Sequence, residues 1–141
     1  MKRNYLLIIA FLFIIPLLFS CAPTTKQVLA TTESQVKLRS MQTRIFDTSD
    51  KSKTLRTVIA TLQDLGFVVD KADDTLGTVS ATKLSGYSLR MTVTVRPKSD
   101  KQLIVRANAQ YNIYAVEDPE PYQQFFDALS KAMFLTAQNV D

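Results

Sequence analysis

Cys21 is the only cysteine in a chain of 141 residues that contains no histidine. A lone thiol can serve as a nucleophile, a metal ligand, a redox group or a point of covalent attachment. Without an imidazole as base, thiol catalysis lacks its usual partner. With no second cysteine, no intramolecular disulfide can form, and a free thiol in an oxidising compartment is a liability. Two carboxylate groups come next: Asp70, Asp73 and Asp74 around one turn, Glu117, Asp118 and Glu120 around another. Such clusters can bind calcium or act as an acid/base pair. The Asp73-Asp74 turn lacks the glycine and spaced oxygen ligands of a calcium loop, and acids are common at turns and helix starts for local hydrogen bonding. Ser80 with Lys83, or Ser130 with Lys131, could form a histidine-free nucleophile and base. Neither pair is set in a strained turn or beside a loop able to hold an oxyanion. These patterns predict no catalytic residue, no metal site and no cofactor.

The candidate binding residues are Arg90, Arg96 and Arg106, which stand among Thr92, Thr94, Asn108 and Gln110. Arginine grips carboxylates or phosphates with two parallel hydrogen bonds. A partner protein's carboxylates or a phosphate-bearing surface would suit such a face. The plain alternative is a solvated sheet face, where threonine and arginine are ordinary; Ile104, an apolar residue on the polar register, argues mildly against it. Arg44 and Asp47 flank a helix start and are expected to form an exposed ion pair of little energetic worth. Phe46 beside them is a candidate hydrophobic staple.

The elements that must position these residues follow from periodicity. Residues 37–47 (KLRSMQTRIFD) read as a first strand of imperfect alternation. Thr48, Ser49 and Asp50 offer three N-caps for a helix whose stripe is Leu55, Val58, Ile59, Leu62 and Leu65. Gly66 ends that helix as a left-handed residue, with Phe67 folding back onto Leu62. Residues 67–72 and 76–83 read as short strands around the Asp73-Asp74-Thr75 turn. Tyr87, Leu89, Met91, Val93 and Val95 then alternate with polar residues in a strand that Pro97 should end. Leu103, Val105, Ala107, Ala109, Tyr111 and Ile113 repeat the pattern, so the two strands should pair as a hairpin. Asp118-Pro119-Glu120-Pro121 opens a last helix with Tyr122, Phe125, Phe126, Leu129, Ala132 and Met133 on its apolar stripe. The predicted fold is α+β, in the order β-α-β-β-β-β-α. One antiparallel sheet of about five strands buries its dry face under two helices, and the wet face meets solvent or a partner.

The amino terminus answers the question of Cys21. Lys2 and Arg3 precede an uncharged apolar run over residues 6–19 (LLIIAFLFIIPLLF). That run is shorter than the roughly 20 residues a membrane-spanning helix needs, and the pattern is that of an export signal. Leu18-Phe19-Ser20-Cys21 resembles the lipobox of bacterial lipoproteins. The resemblance implies a diacylglycerol on the Cys21 sulfur, cleavage before it, and acylation of the new amino terminus. More than one acyl chain holds a protein firmly to a bilayer. Ala22 at the next position, by resemblance to the enteric sorting rule, implies the outer membrane. "MQTRIFDT" (41–48), "LQDLGF" (62–67), "LGTVSATK" (76–83) and "DPEPYQQFFDALSKAMFL" (118–135) resemble a mostly uncharacterised family of bacterial lipoproteins. The element order resembles the helix-grip domains of lipoprotein subunits in the outer-membrane barrel-assembly machine.

The expected organisation is a signal peptide over 1–20, a lipidated Thr-rich tether over 21–35, one domain over 36–138 and a short tail over 139–141. Loss of Lys2 and Arg3 with the leader takes the 17 basic residues to 15, against 13 acidic ones, so the mature charge falls from +4 to about +2. Nothing in that balance calls for nucleic acid. No tryptophan, no histidine and three glycines argue against most metal, phosphate-loop and dinucleotide sites. The expected function is a non-enzymatic, periplasm-facing interaction module of an envelope complex, held to the membrane through Cys21 and bound to an envelope protein. The alternative is a carrier or sensor of an amphiphilic ligand held between helices and sheet.

Overall fold

The computed structural model describes residues 35–85 and 87–138; the expected signal peptide, Cys21 and all but the last residue of the expected tether lie outside them. The elements are α1 (Gln35–Met41), β1 (Thr43–Phe46), α2 (Lys51–Asp64), β2 (Val68–Asp73), β3 (Thr78–Ser85), β4 (Tyr87–Ser99), β5 (Gln102–Tyr111), β6 (Tyr114–Ala115) and α3 (Glu120–Gln138). The sheet order is β1-β5-β4-β3-β2, with the short β6 also paired to β5. Every pairing is antiparallel. The α+β fold with its antiparallel sheet is therefore present, and β6 and α1 add to the expected elements.

The hairpin of β4 and β5 is the centre of the sheet. Met91 faces Ala109, Val93 faces Ala107 and Val95 faces Val105, and all six are buried. They pack with Val79 and Ala81 of β3 against Leu55, Val58 and Leu62 of α2 and Tyr122, Phe125, Phe126 and Leu129 of α3. Both long helices thus cover one face, as the alternation demands. The Phe125 and Phe126 rings meet edge to face at 5.1 Å.

Local chemistry fixes the ends of α2. Of the three possible caps it is Asp50 that accepts the Lys53 N–H, at 2.8 Å. At the other end Gly66 has φ 82. Its N–H donates to the Gln63 carbonyl, and the Phe67 N–H donates to the Leu62 carbonyl, both at 2.9 Å. That pair of bonds is the Schellman stop, and it drops Phe67 into the core beside Leu62.

Three expectations are corrected. Residues 37–41 are helical, not part of a strand; only Thr43–Phe46 extends. Leu38, Met41 and Gln42 turn inward, a spacing of three and four that suits a helix. Pro97 does not end β4, which continues to Ser99 with a register shift after Pro97. The Val95 N–H donates to Gly77 O toward the β3 side. Pro97 faces that same side two residues on, beyond the Thr78–Thr94 pair that closes the β3 ladder, where its missing N–H costs nothing. Arg44 does not pair with Asp47. It lies on the helix side of β1, donates to the Ser40 and Thr43 carbonyls at 2.9 Å and sits 5.1 Å over the Phe126 ring. Asp47 instead accepts from Gln102 Nε2.

A buried polar centre joins the carboxyl-terminal half to β1. Ala107 and Ala109 fall between the stretches of β5 that β1 and β6 cover. The Ala107 N–H donates to Gln42 O at 2.9 Å. The Ala109 N–H donates to the Tyr122 hydroxyl at 3.3 Å, which donates in turn to Val116 O at 2.8 Å. Gln42 Nε2 donates to the same hydroxyl at 3.3 Å. One tyrosine oxygen thus completes a gap in the ladder.

Candidate interaction surface

Among the described residues nothing covers the second face of the sheet, and the pairing register orders it in rows. Thr82, Arg90 and Gln110 lie abreast; so do Ser80, Thr92 and Asn108; so do Thr78, Thr94, Arg106 and Thr43; and Arg96, Ile104 and Ile45 form the last row. Arg96 and Arg106 therefore occupy diagonal positions one row apart, within reach of one long partner group. Arg90 stands two rows beyond Arg106. The three predicted arginines share a face, but only two share a neighbourhood.

Their partners differ as well. Arg90 Nε lies 3.9 Å from Asp70 Oδ2, both side chains largely exposed, and the same carboxylate accepts the Thr82 hydroxyl at 2.6 Å. Arg90 is thus partly neutralised. Among the described residues the Arg106 guanidinium reaches only the Gln42 amide oxygen, at 3.5 Å. Ile104 is half-buried and Ile45 exposed beside the Arg96–Arg106 pair. This corner of the sheet offers two guanidinium groups around an apolar strip.

The other residues singled out from the sequence do local work. Asp73 Oδ1 accepts the Leu76 N–H at 2.8 Å, and Asp74 accepts the Ser52 hydroxyl at 3.1 Å. Asp118 Oδ1 accepts the Glu120 N–H at 2.9 Å at the start of α3. Ser80 shares a hydrogen bond with Thr92 on the open face, whereas Lys83, an odd number of residues away, extends over the Phe67 ring at 5.8 Å on the helix side. The Ser130 hydroxyl donates to the Phe126 carbonyl of its own helix at 2.7 Å. The proposed serine–lysine pairs are not assembled. Among the described residues no three His, Cys, Asp or Glu side chains group closely enough to hold a metal, and no helix is long and apolar enough to cross a membrane.

A pocket of about 280 Å³ opens where α2 ends, α3 begins and the sheet runs out. Leu65, Phe67, Leu89 and Tyr111 supply apolar walls; Lys83, Asp118, Glu120 and Gln124 supply the polar rim. Periodicity does not reveal this feature because its lining comes from the α2–β2 link and four separate elements.

Comparison with protein-family models gives no match, and comparison with curated proteins gives none.

Proposed function

We propose that the protein is a lipid-anchored, periplasm-facing interaction module of a bacterial envelope complex for assembly, transport or secretion, with no catalytic step of its own. The anchor in this reading is Cys21, acylated after removal of residues 1–20, and the membrane is the outer one. The observation that carries the reading is the uncovered sheet face, where Arg96 and Arg106 flank Ile104 and Ile45. Guanidinium groups around an apolar strip suit a protein partner that presents carboxylates beside an apolar side chain. The test is affinity purification of the tagged, acylated protein from gently solubilised envelopes, beside an Arg96→Glu/Arg106→Glu variant. The wild type should bring down a reproducible envelope protein that the double variant loses while retaining its circular dichroism. Recovery of the monomer alone across several detergents overturns the reading.

The pocket between helices and sheet favours a second reading, a carrier or sensor of an amphiphilic ligand. Its 280 Å³ falls at the lower limit of the roughly 300–1,000 Å³ of ligand sites, so it would take a short chain or a headgroup. Native mass spectrometry that retains a co-purified lipid adduct on the wild type, and loses it on Leu89→Arg, would favour this reading over the first.

A further inference from the structure

The two ends of the sheet differ in chemistry. At one end lie the β4–β5 turn and the β2–β3 turn, with Lys98, Ser99, Asp100 and Lys101 on the first and Asp73, Asp74 and Thr75 on the second. Leu76 on the second turn, with Phe134 and Ile45 nearby, supplies the exposed large apolar side chains of this end, three against the five of the other. At the other end the β3–β4 and β5–β6 hairpins project side by side, joined by the Asn112 N–H donating to Ser88 O at 3.3 Å. Here Leu84 is 81% exposed, Ile113 61%, Tyr114 56% and Tyr111 40%. Leu84, opposite Ser88, lies on the open face, whereas Tyr111, opposite both Leu89 and Tyr114, lies on the helix face, so these side chains border the end of the sheet from both sides. Val68, also exposed, stands nearby on the row of Thr82. Five of the nine large apolar side chains exposed among the described residues thus gather at one end.

We infer that this hairpin end rests on the lipid bilayer that carries the Cys21 anchor, with the polar turns pointing away from it. The inference rests on the anchored reading above. Residues 22–34 bridge Cys21 to α1 and extend at most to roughly 45 Å. The 13 residues of β4 span roughly 43 Å. The tether therefore allows either end of the sheet to meet the membrane, and surface chemistry decides which. Tyrosine favours the headgroup level, where its ring meets acyl chains and its hydroxyl meets water. Ile113 at the hairpin tip and Leu84 on the neighbouring hairpin enter roughly 5–10 Å deep, as apolar groups of interfacial segments do. Lys83 is close by, but so are Asp118 and Glu120 on the pocket rim. The attraction is accordingly apolar, not electrostatic, and salt does not release it.

The absence of tryptophan makes the test direct. Ile113→Trp and, at the opposite end, Lys101→Trp are introduced singly into the full chain. Each acylated protein is purified from membranes and reconstituted into phosphatidylethanolamine–phosphatidylglycerol vesicles whose acyl chains are brominated. The indole of the Ile113→Trp variant should lose most of its emission and shift to the blue. That of the Lys101→Trp variant should do neither, in low and high salt alike. Leu84→Trp repeats the measurement should the Ile113→Trp variant fold poorly. Protein that floats with the vesicles but shows no quenching from either hairpin position overturns the orientation and leaves the anchor intact. Protein that fails to float overturns both. A blue shift that grows with protein concentration and ignores bromine assigns the patch to a second copy of the chain and overturns the inference.

Discussion

Tyr122→Phe removes one oxygen and leaves the ring packing in place. That oxygen serves the Ala109 N–H, the Val116 carbonyl and Gln42 Nε2. Ala109, Val116, Tyr122 and Gln42 are all buried. Gln42 can turn toward water, but the two backbone groups cannot. A buried polar group left without a partner costs about 1–3 kcal/mol, and two give about 2–4 kcal/mol after partial relaxation. For a domain near 100 residues that corresponds to a fall in Tm of about 10–20 °C. Urea and thermal unfolding of the Cys21→Ser chain, followed by circular dichroism, measure it. The Gln42→Ala change should also cost less in the Tyr122→Phe background than in the wild type, because its bond to the hydroxyl is already gone. A Tyr122→Phe variant within about 0.5 kcal/mol of wild type, a loss typical of an ordinary surface site, would refute the account of this hydroxyl as the mend in the β5 ladder.

Gly77→Ala should be severe and Gly66→Ala mild. Both glycines have positive φ, but a Cβ at Gly77 would stand 2.4 Å from Val95 O, whereas at Gly66 the nearest atom is the flexible Lys83 side chain at 3.7 Å. Unfolding should show about 1–2 kcal/mol for Gly66→Ala, the left-handed penalty alone, and clearly more for Gly77→Ala. Asp50→Ala removes the α2 cap and should cost about 1 kcal/mol, restored in large part by Asp50→Ser in the same unfolding assay. Arg90→Ala should change stability by less than about 1 kcal/mol, since its pairing with Asp70 is long and exposed; a larger loss would give that pair a structural role.

Much of this architecture was legible because one face of each element is dry. The β4–β5 hairpin and the stripes of α2 and α3 each repeat a clean period over many residues. The stop at Gly66-Phe67 was legible from two residue types. Periodicity failed where burial and polarity part company. Thr54, Thr57 and Thr61 are buried in α2, each hydroxyl donating to the carbonyl four residues back at 2.8–3.0 Å, so the buried arc of α2 is wider than its apolar letters. Tyr122 read as one more apolar position, although its hydroxyl is what the site needs. The seven residues of α1 bury only Leu38, too little for a pattern to register. The arginine face was foreseen, but strand register alone separates Arg90 from the Arg96–Arg106 pair, and a register cannot be read one strand at a time.

The pairing of Thr43 with Arg106 governs the order in which the molecule can assemble. β1 is made early, yet its hydrogen-bonding mate arrives only after α2, β2, β3 and β4. For a polypeptide handled amino terminus first, at a ribosome or through a narrow pore, the leading edge stays open until most of the sequence has appeared. Such distant closures are slow to find. A fragment stopping before residue 102 also lacks Leu103, Val105 and Ala107, the middle of the hydrophobic interior. Completion of the sheet and of its core thereby waits for the last third of the chain.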